Sequence, residues 1–221
     1  MTHRQSRRIQ TSKRIYLLRH AQSEANISGI LAGQTEGIHL SREGKKEARK
    51  LLPSLQRINP ARVVVSPLER CYETVLPFCE KFPQIPVYED ESFIEMDYGT
   101  WSNRRLADLA KERLWKKVQE QPSKVRFPDG ESFSEMTKRS RDGVLHYLKK
   151  PGDTVIVSHG DVIRTLLAHF LNMSLDDFQR ISIAPASLSV IHFRGSSVSI
   201  EMINSQTTRN SNGRSTLGGG L

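Results

Sequence analysis

The sequence predicts an α/β fold, a three-layer sandwich with a mostly parallel central sheet and helices on both faces. Three observations predict it. Short apolar or β-branched runs alternate with longer segments of helical spacing, the order expected of strands joined by helical crossovers. The 221 residues suffice for one well-cored domain. Three of the short runs end in reactive polar residues, as strands do at the ligand-binding edge of such a sheet.

The first run, Ile15-Tyr16-Leu17-Leu18, reads as a buried strand that stops at Arg19-His20. The segment HLSREGKKEARKLLPSLQRI has helical spacing, with Ser41 as N-cap and Pro53 as a kink or break. ARVVVS is a continuous apolar run of the kind found in fully buried strands. In SPLERCYETVLPFCEKF the local rules predict a helix capped by Ser66, with Pro67 at its first position and Glu69 completing a capping box. PVYED reads as a short strand, and a charged helix is expected around Asn103 to Glu120. A further helix is expected from about Phe133 to Lys149. GDTVIVSHG reads as a strand ending on His159, and DVIRTLLAHFL as a helix capped by Asp161. SLSVIHF and SVSIEMI, parted by Gly195 and Ser196, form a closing hairpin.

Composition narrows the function classes. Hydrophobic residues at 37% and charged residues at 26% fit a globular protein. The apolar runs are far shorter than the ~18 residues of a membrane span. The basic start, MTHRQSRRIQTSKR, lacks an apolar core and does not read as a secretory signal. Cys71 and Cys79 lie too far apart along one helix to pair with each other, which suits a reducing cytoplasm. The net charge of +9 is concentrated at the ends, in Arg4, Arg7, Arg8, Lys13 and Arg14 and in Arg209 and Arg214. No aromatic residue is interleaved with these charges, so solvated tails are favoured over a nucleic-acid surface. Residues 1–13 are expected to be a basic flexible tail and 204–221 a flexible polar one, leaving a domain over 14–203.

Arg19-His20, Ser66 leading to Arg70, and Ser158-His159 would gather at one sheet edge. Two guanidiniums there offer planar forks suited to phosphate oxygens, each charge-assisted hydrogen bond contributing ~1.5–3 kcal/mol. One histidine among them can act as nucleophile, and a second can donate to phosphoryl oxygens. A His₂Glu zinc triad of His20, His159 and Glu95 is the alternative, disfavoured because both guanidiniums would repel a cation.

These residues resemble the histidine phosphatase superfamily, also called phosphoglycerate-mutase-like. The resemblance runs from about Arg14 to Phe193, through LLRHAQSEAN, LAGQTEGIHLSREGKKEA, SPLERCYET, FIEMDYGTW and VIVSHGDVIR, in that order. It implies that His20 is the nucleophile, forming a phosphohistidine without metal or cofactor. Arg19, Arg70 and His159 would bind the phosphoryl group, with Asn26, Ala32, Gly33 and Gly160 completing the substrate site. Glu95 would protonate the leaving oxygen and then activate water. The family pattern has Gly where this sequence has Ala21, which matters only if that position needs a positive φ.

FIEMDYGTW and FPDGESFSEM look more like the phosphatase branch, such as α-ribazole phosphatase and broad-specificity relatives, since Met96 rather than Arg follows Glu95. The expected function is hydrolysis of a small phosphorylated metabolite. The alternatives are mutase-type phosphoryl transfer, a phosphoprotein phosphatase and a non-catalytic phospho-ligand binder. A helical cap insertion over about 100–131 favours a small substrate, with Arg104, Arg105, Arg126 and Glu131 as candidate contacts. Trp101 and Trp115 read as packing residues, and His3, His39, His146, His169 and His192 show no catalytic context. Substrate identity and oligomeric state are left open.

Overall fold

The computed structural model describes residues 12–206. The expected tails therefore lie almost wholly outside the described residues, as does His3. The strands are β1 (Ser12–Arg19), β2 (Ile30–Leu31), β3 (Arg62–Val65), β4 (Val87–Glu89), β5 (Arg104–Arg105), β6 (Thr154–Ser158), β7 (Leu188–Arg194) and β8 (Ser197–Ser205). The α-helices are α1 (Glu24–Ser28), α2 (Arg42–Ile58), α3 (Glu69–Lys81), α4 (Leu106–Leu109), α5 (Arg113–Glu120), α6 (Phe133–Leu148) and α7 (Gly160–Phe170). The main sheet has the order β4-β3-β6-β1-β7-β8. Its first four strands run parallel, and β7 and β8 close it as the expected antiparallel hairpin.

The central strands read as unbroken apolar runs because both faces are covered. Ile15, Leu17, Val64 and Ile156 pack with residues of α6 and α7. Their neighbours Leu18, Val63, Val65, Val155 and Val157 turn to the other face, against α2 and α3. The expected sandwich and mostly parallel sheet are what the chain forms.

Four local expectations need correction. Helix α2 passes through Pro53 without ending. Pro53 and Arg49, whose carbonyl loses its helical donor, are both exposed, so water can serve that carbonyl, while Ala48, Leu51 and Leu55 keep the buried stripe continuous. Ser66 caps nothing: α3 starts at Glu69, after Leu68, with no side-chain cap. The cap position of α7 is His159 rather than Asp161, which is the helix's second residue. The single charged helix expected over Asn103–Glu120 is instead β5, α4 and α5 in succession. Asn103 adopts φ 63° and donates its N–H to the Leu31 carbonyl, so the chain leaves helical geometry there and β5 pairs with β2.

The segment 100–131 adds Trp101, Leu109, Val118, Val125 and Phe127 to the same hydrophobic cluster as α6 and α7. Trp101 and Trp115 stack at 6.2 Å between ring centroids, as packing residues do.

Candidate active site

Strands β1, β3 and β6 end side by side, because Arg19 is in register with Ser158 and Val65 with Val157. The backbone N–H of His20 donates to Ser158 O at 2.9 Å, and that of Ser66 to Val157 O at 3.0 Å. The side chains that follow these strands therefore meet at one edge of the sheet. A cleft there is lined by Arg19, His20, Arg70, Glu95 and Gly160, together with Asn26, Ala32 and Gly33.

His20 is 3% exposed, and its Nδ1 lies 2.8 Å from Ala21 O. A carbonyl only accepts, so Nδ1 carries the proton and Nε2 keeps its lone pair. Burial, then Arg70 and Arg19, hold the imidazole well below the usual histidine range. Ala21 is not among the residues with positive φ, so its methyl group is tolerated, and its N–H donates to Thr74 Oγ1.

His159 belongs to the same cluster, its ring 5.2 Å from that of His20, but it is fully buried and has no surface in the cleft. Its Nε2 is 2.7 Å from Ser66 Oγ. Its Nδ1 is 3.9 Å from a Glu95 oxygen. Burial, then Arg70, His20 and Arg19, push its basicity down as well. The Ser66 hydroxyl thus serves a histidine across the sheet, not the helix end the local pattern predicts.

The guanidiniums are held in different ways. Arg70 is 1% exposed and donates to Gly33 O at 2.8 Å. Gly33 has φ +54°, and a Cβ there would come within 2.7 Å of Ser102 Oγ, so glycine is required at this turn. Arg19 donates to Ile183 O at 2.6 Å, and its Nε is buried without a partner. An unsatisfied buried donor of this kind fits an anion supplied from outside the chain. Gly160 gives it room, since a Cβ at that position would sit 3.3 Å from Arg19 Cζ.

Glu95 comes from the loop after a 3-10 turn at Glu91–Phe93. Arg139 and Gln34 donate to its backbone carbonyl, and one carboxyl oxygen accepts the Met96 N–H at 2.9 Å. Burial and, next, the Asp161 carboxylate push the Glu95 carboxyl up to about 7, while the Met96 amide, Arg70 and Arg19 pull the other way. Asn26 turns its side-chain oxygen to Ser23 N and Ser23 Oγ, both at 3.0 Å.

The expected contacts in the 100–131 segment do not reach the cleft. Arg104 pairs with Glu112, Arg126 with Glu135, and Glu131 with Arg139. Arg105 is exposed and does not line the cleft. Leu106 is the residue of that segment in the lining. Sequence reasoning also missed Tyr98, which lines the cleft, and Arg164 and Arg139 behind it, and took Asp161, also in the lining, for a helix cap. Asp161 stood next to the His159-Gly160 pair, but only its packing against Tyr98 marks it as part of the site. Among the described residues no group of three or more His, Cys, Asp or Glu is arranged to hold a metal ion.

Two histidines and two buried guanidiniums at the carboxyl edge of a parallel sheet define a phosphoryl-binding α/β protein built around histidine. The family model described as histidine phosphatase superfamily (branch 1) matches residues 15–206, and the chain belongs to that superfamily. It is 33% identical over 187 residues to phosphoserine phosphatase 1 of Hydrogenobacter thermophilus, covering 81% of this chain and 86% of that protein. It is 26% identical over 179 residues to a 2,3-bisphosphoglycerate-dependent phosphoglycerate mutase of Thermoplasma acidophilum, covering 79% and 84%. A solved structure of a putative α-ribazole-5'-P phosphatase from Escherichia coli superposes with a TM-score of 0.79 at 23% identity, covering 88% and 97%, a likeness of fold.

Proposed function

We propose that the chain hydrolyses a small phosphorylated metabolite through a phosphohistidine on His20, without a metal ion. The observation that carries this reading is the His20 tautomer, with Nδ1–H donated to Ala21 O and Nε2 left as a lone pair in a cleft that holds Arg19 and Arg70.

In the first step Nε2 of His20 attacks phosphorus while the bond from phosphorus to the leaving oxygen breaks. Glu95 passes its proton to that oxygen, so a neutral alcohol departs. Arg19 and Arg70 bind the equatorial oxygens as charge grows there, and His159 contributes from behind the cleft, beside His20 and 3.9 Å from a Glu95 oxygen. Asn26 presents its Nδ2 to the phosphoryl group, with Ala32, Gly33 and Gly160 bounding it. In the second step the Glu95 carboxylate takes a proton from water. The hydroxyl oxygen attacks phosphorus, the N–P bond breaks, and inorganic phosphate leaves. A carboxyl near 7 suits both steps, since it can give and recover a proton at neutral pH.

The substrate class is carried over from relatives named as phosphoserine, α-ribazole-5'-P and glucosyl-3-phosphoglycerate phosphatases. Residues 14–203 are the catalytic domain in this reading, with 100–131 as a cap that closes one side of the cleft through Leu106 and the β2–β5 pair. A cytoplasmic location goes with two unpaired cysteines. No helix among the described residues is long and apolar enough to cross a membrane.

The test is hydrolysis of an aryl phosphate near pH 6 with excess chelator, in wild type and His20→Ala. Phosphate release that survives the chelator and vanishes in the variant is expected, together with an acid-labile, base-stable phosphoenzyme on rapid quenching. Release that persists in folded His20→Ala would overturn the mechanism. Transfer of the phosphoryl group to a second metabolite faster than to water would replace hydrolase by mutase.

A further inference from the structure

Asp161 is more than a residue near the start of α7. Both of its oxygens are engaged: Tyr98 Oη donates to Oδ2 at 2.7 Å, and Arg164 Nη1 donates to Oδ1 at 3.1 Å. Arg164 is 3% exposed and Tyr98 6%, and Tyr98 is itself fixed edge-on against Phe127 at 5.0 Å. The carboxylate is thus clamped from two sides while lining the same cleft as Glu95 and Arg19. Arg19, whose Nε is unpartnered, lines the same cleft, and the clamp keeps Asp161 engaged with Tyr98 and Arg164 instead. The clamp fixes the Asp161 side chain in the cleft that Glu95 also lines.

We infer that Asp161, clamped by Tyr98 and Arg164, is a positioning residue that holds the Glu95 carboxyl in its proton-donating form. Two carboxyl groups sharing a poorly hydrated cleft resist being ionised together, and the one without fixed cationic and phenolic partners keeps the proton. The other groups facing Glu95 are Arg70 from α3, Arg19 from β1, His159 at the start of α7, Tyr98, and Arg139 from α6 through the Glu95 carbonyl. Of these, the guanidiniums favour the ionised carboxylate. Asp161 opposes them, and burial works in the same direction as Asp161.

The inference rests on Glu95 as the proton donor of the proposed hydrolysis, but its test does not depend on turnover. The Glu95 carboxyl carbon is followed by 13C NMR from pH 4 to 9 in labelled wild type, Asp161→Asn and Tyr98→Phe, with assignment by Glu95→Gln. In Asp161→Asn the midpoint is expected to fall by at least roughly half a pH unit. In Tyr98→Phe, which removes one arm of the clamp on Asp161, it is also expected to fall. Unchanged midpoints in folded variants would overturn the inference, and Tyr98→Phe decides it if Asp161→Asn does not fold. Kinetics supply the second readout. The alkaline limb of kcat/KM should move to lower pH in Asp161→Asn with an alkyl phosphate, whose leaving oxygen needs the proton. It should move little with a nitrophenyl phosphate, whose phenolate leaves without one. A merely structural role would lower both substrates alike. Wild type inert toward both substrates, with the NMR shift still present, would count against the hydrolase reading and not against the role of Asp161.

Discussion

Single atoms decide what this site can do. His20 is oriented by one backbone carbonyl, and His159 by the Ser66 hydroxyl, with the Cys71 sulfur a longer contact at 3.5 Å. Ser66→Ala should therefore leave a buried imidazole nitrogen with only the weak Cys71 sulfur contact, at a cost of about 1–3 kcal/mol. Because Ser66 caps no helix, far-UV circular dichroism should be unchanged while the urea midpoint drops. Loss of helical signal in this variant would restore the capping role. Arg70 is a sharper case. Its Nη2 reaches Gly33 O at 2.8 Å and its Nη1 Thr35 O at 3.4 Å, and the residue also lines the cleft, so one side chain both ties down the turn after β2 and faces the ligand site. A lysine has one compact cationic head and cannot do both. Arg70→Lys should raise KM for phosphomonoesters and lower kcat by on the order of 10²-fold or more, effects that steady-state kinetics separate. Wild-type kinetics in Arg70→Lys would remove Arg70 from the phosphoryl site.

At the scale of elements, legibility in the sequence followed how local the cause was. Strands β1, β3 and β6 were readable because burial on both faces leaves only apolar residues in them, and their polar ends located the site edge. The helix starts at Ser41 and Phe133 were readable because the cap is a contact within four residues. What failed was nonlocal. Ser66 obeys a capping pattern but is taken by His159, 93 residues away. The pairing of Tyr98 with Asp161 spans 63 residues, so no window of sequence contains it. The charged stretch after Asn103 gave up its first residues to a strand pairing with β2 and split the expected helix into α4 and α5. At Pro53 the helix does not break, because the stripe Ala48, Leu51, Leu55 holds α2 against the sheet on either side of it. Pro53→Ala should restore the missing hydrogen bond to Arg49 and raise stability by about 1–3 kcal/mol, offset in part by a freer unfolded chain. An unchanged or lower denaturant midpoint would mean that the helix is bent to need the ring.

For the whole molecule, the site makes stability depend on pH in a direction that can be worked out. His20 and His159 are held well below the ordinary histidine value in the folded state. Each is therefore neutral in both states above about 6.5, where it has no effect on the pH dependence. As pH falls below that, the unfolded chain takes up both protons and the folded one does not, so stability is lost. Glu95 works oppositely. Its carboxyl is raised to about 7, so between that value and its ordinary range the folded state holds the extra proton and gains stability as pH falls. Two groups lose while one gains, which leaves a net slope of about one proton, or roughly 1.4 kcal/mol per pH unit, between about pH 6 and 5. The melting temperature should fall over that window in wild type, and the fall should nearly vanish in His20→Asn, where one losing group remains against one gaining group. Phosphate adds a second arm. An anion between Arg19, Arg70 and the histidines favours their protonated rings, so inorganic phosphate should raise the melting temperature more at pH 5 than at pH 7. Scanning calorimetry at both pH values, with and without phosphate, measures the slope and the coupling together. A flat wild-type profile, or stabilisation by phosphate that is no greater at pH 5, would show that the buried histidines take up protons without resistance and that the cluster is not poised for an anion.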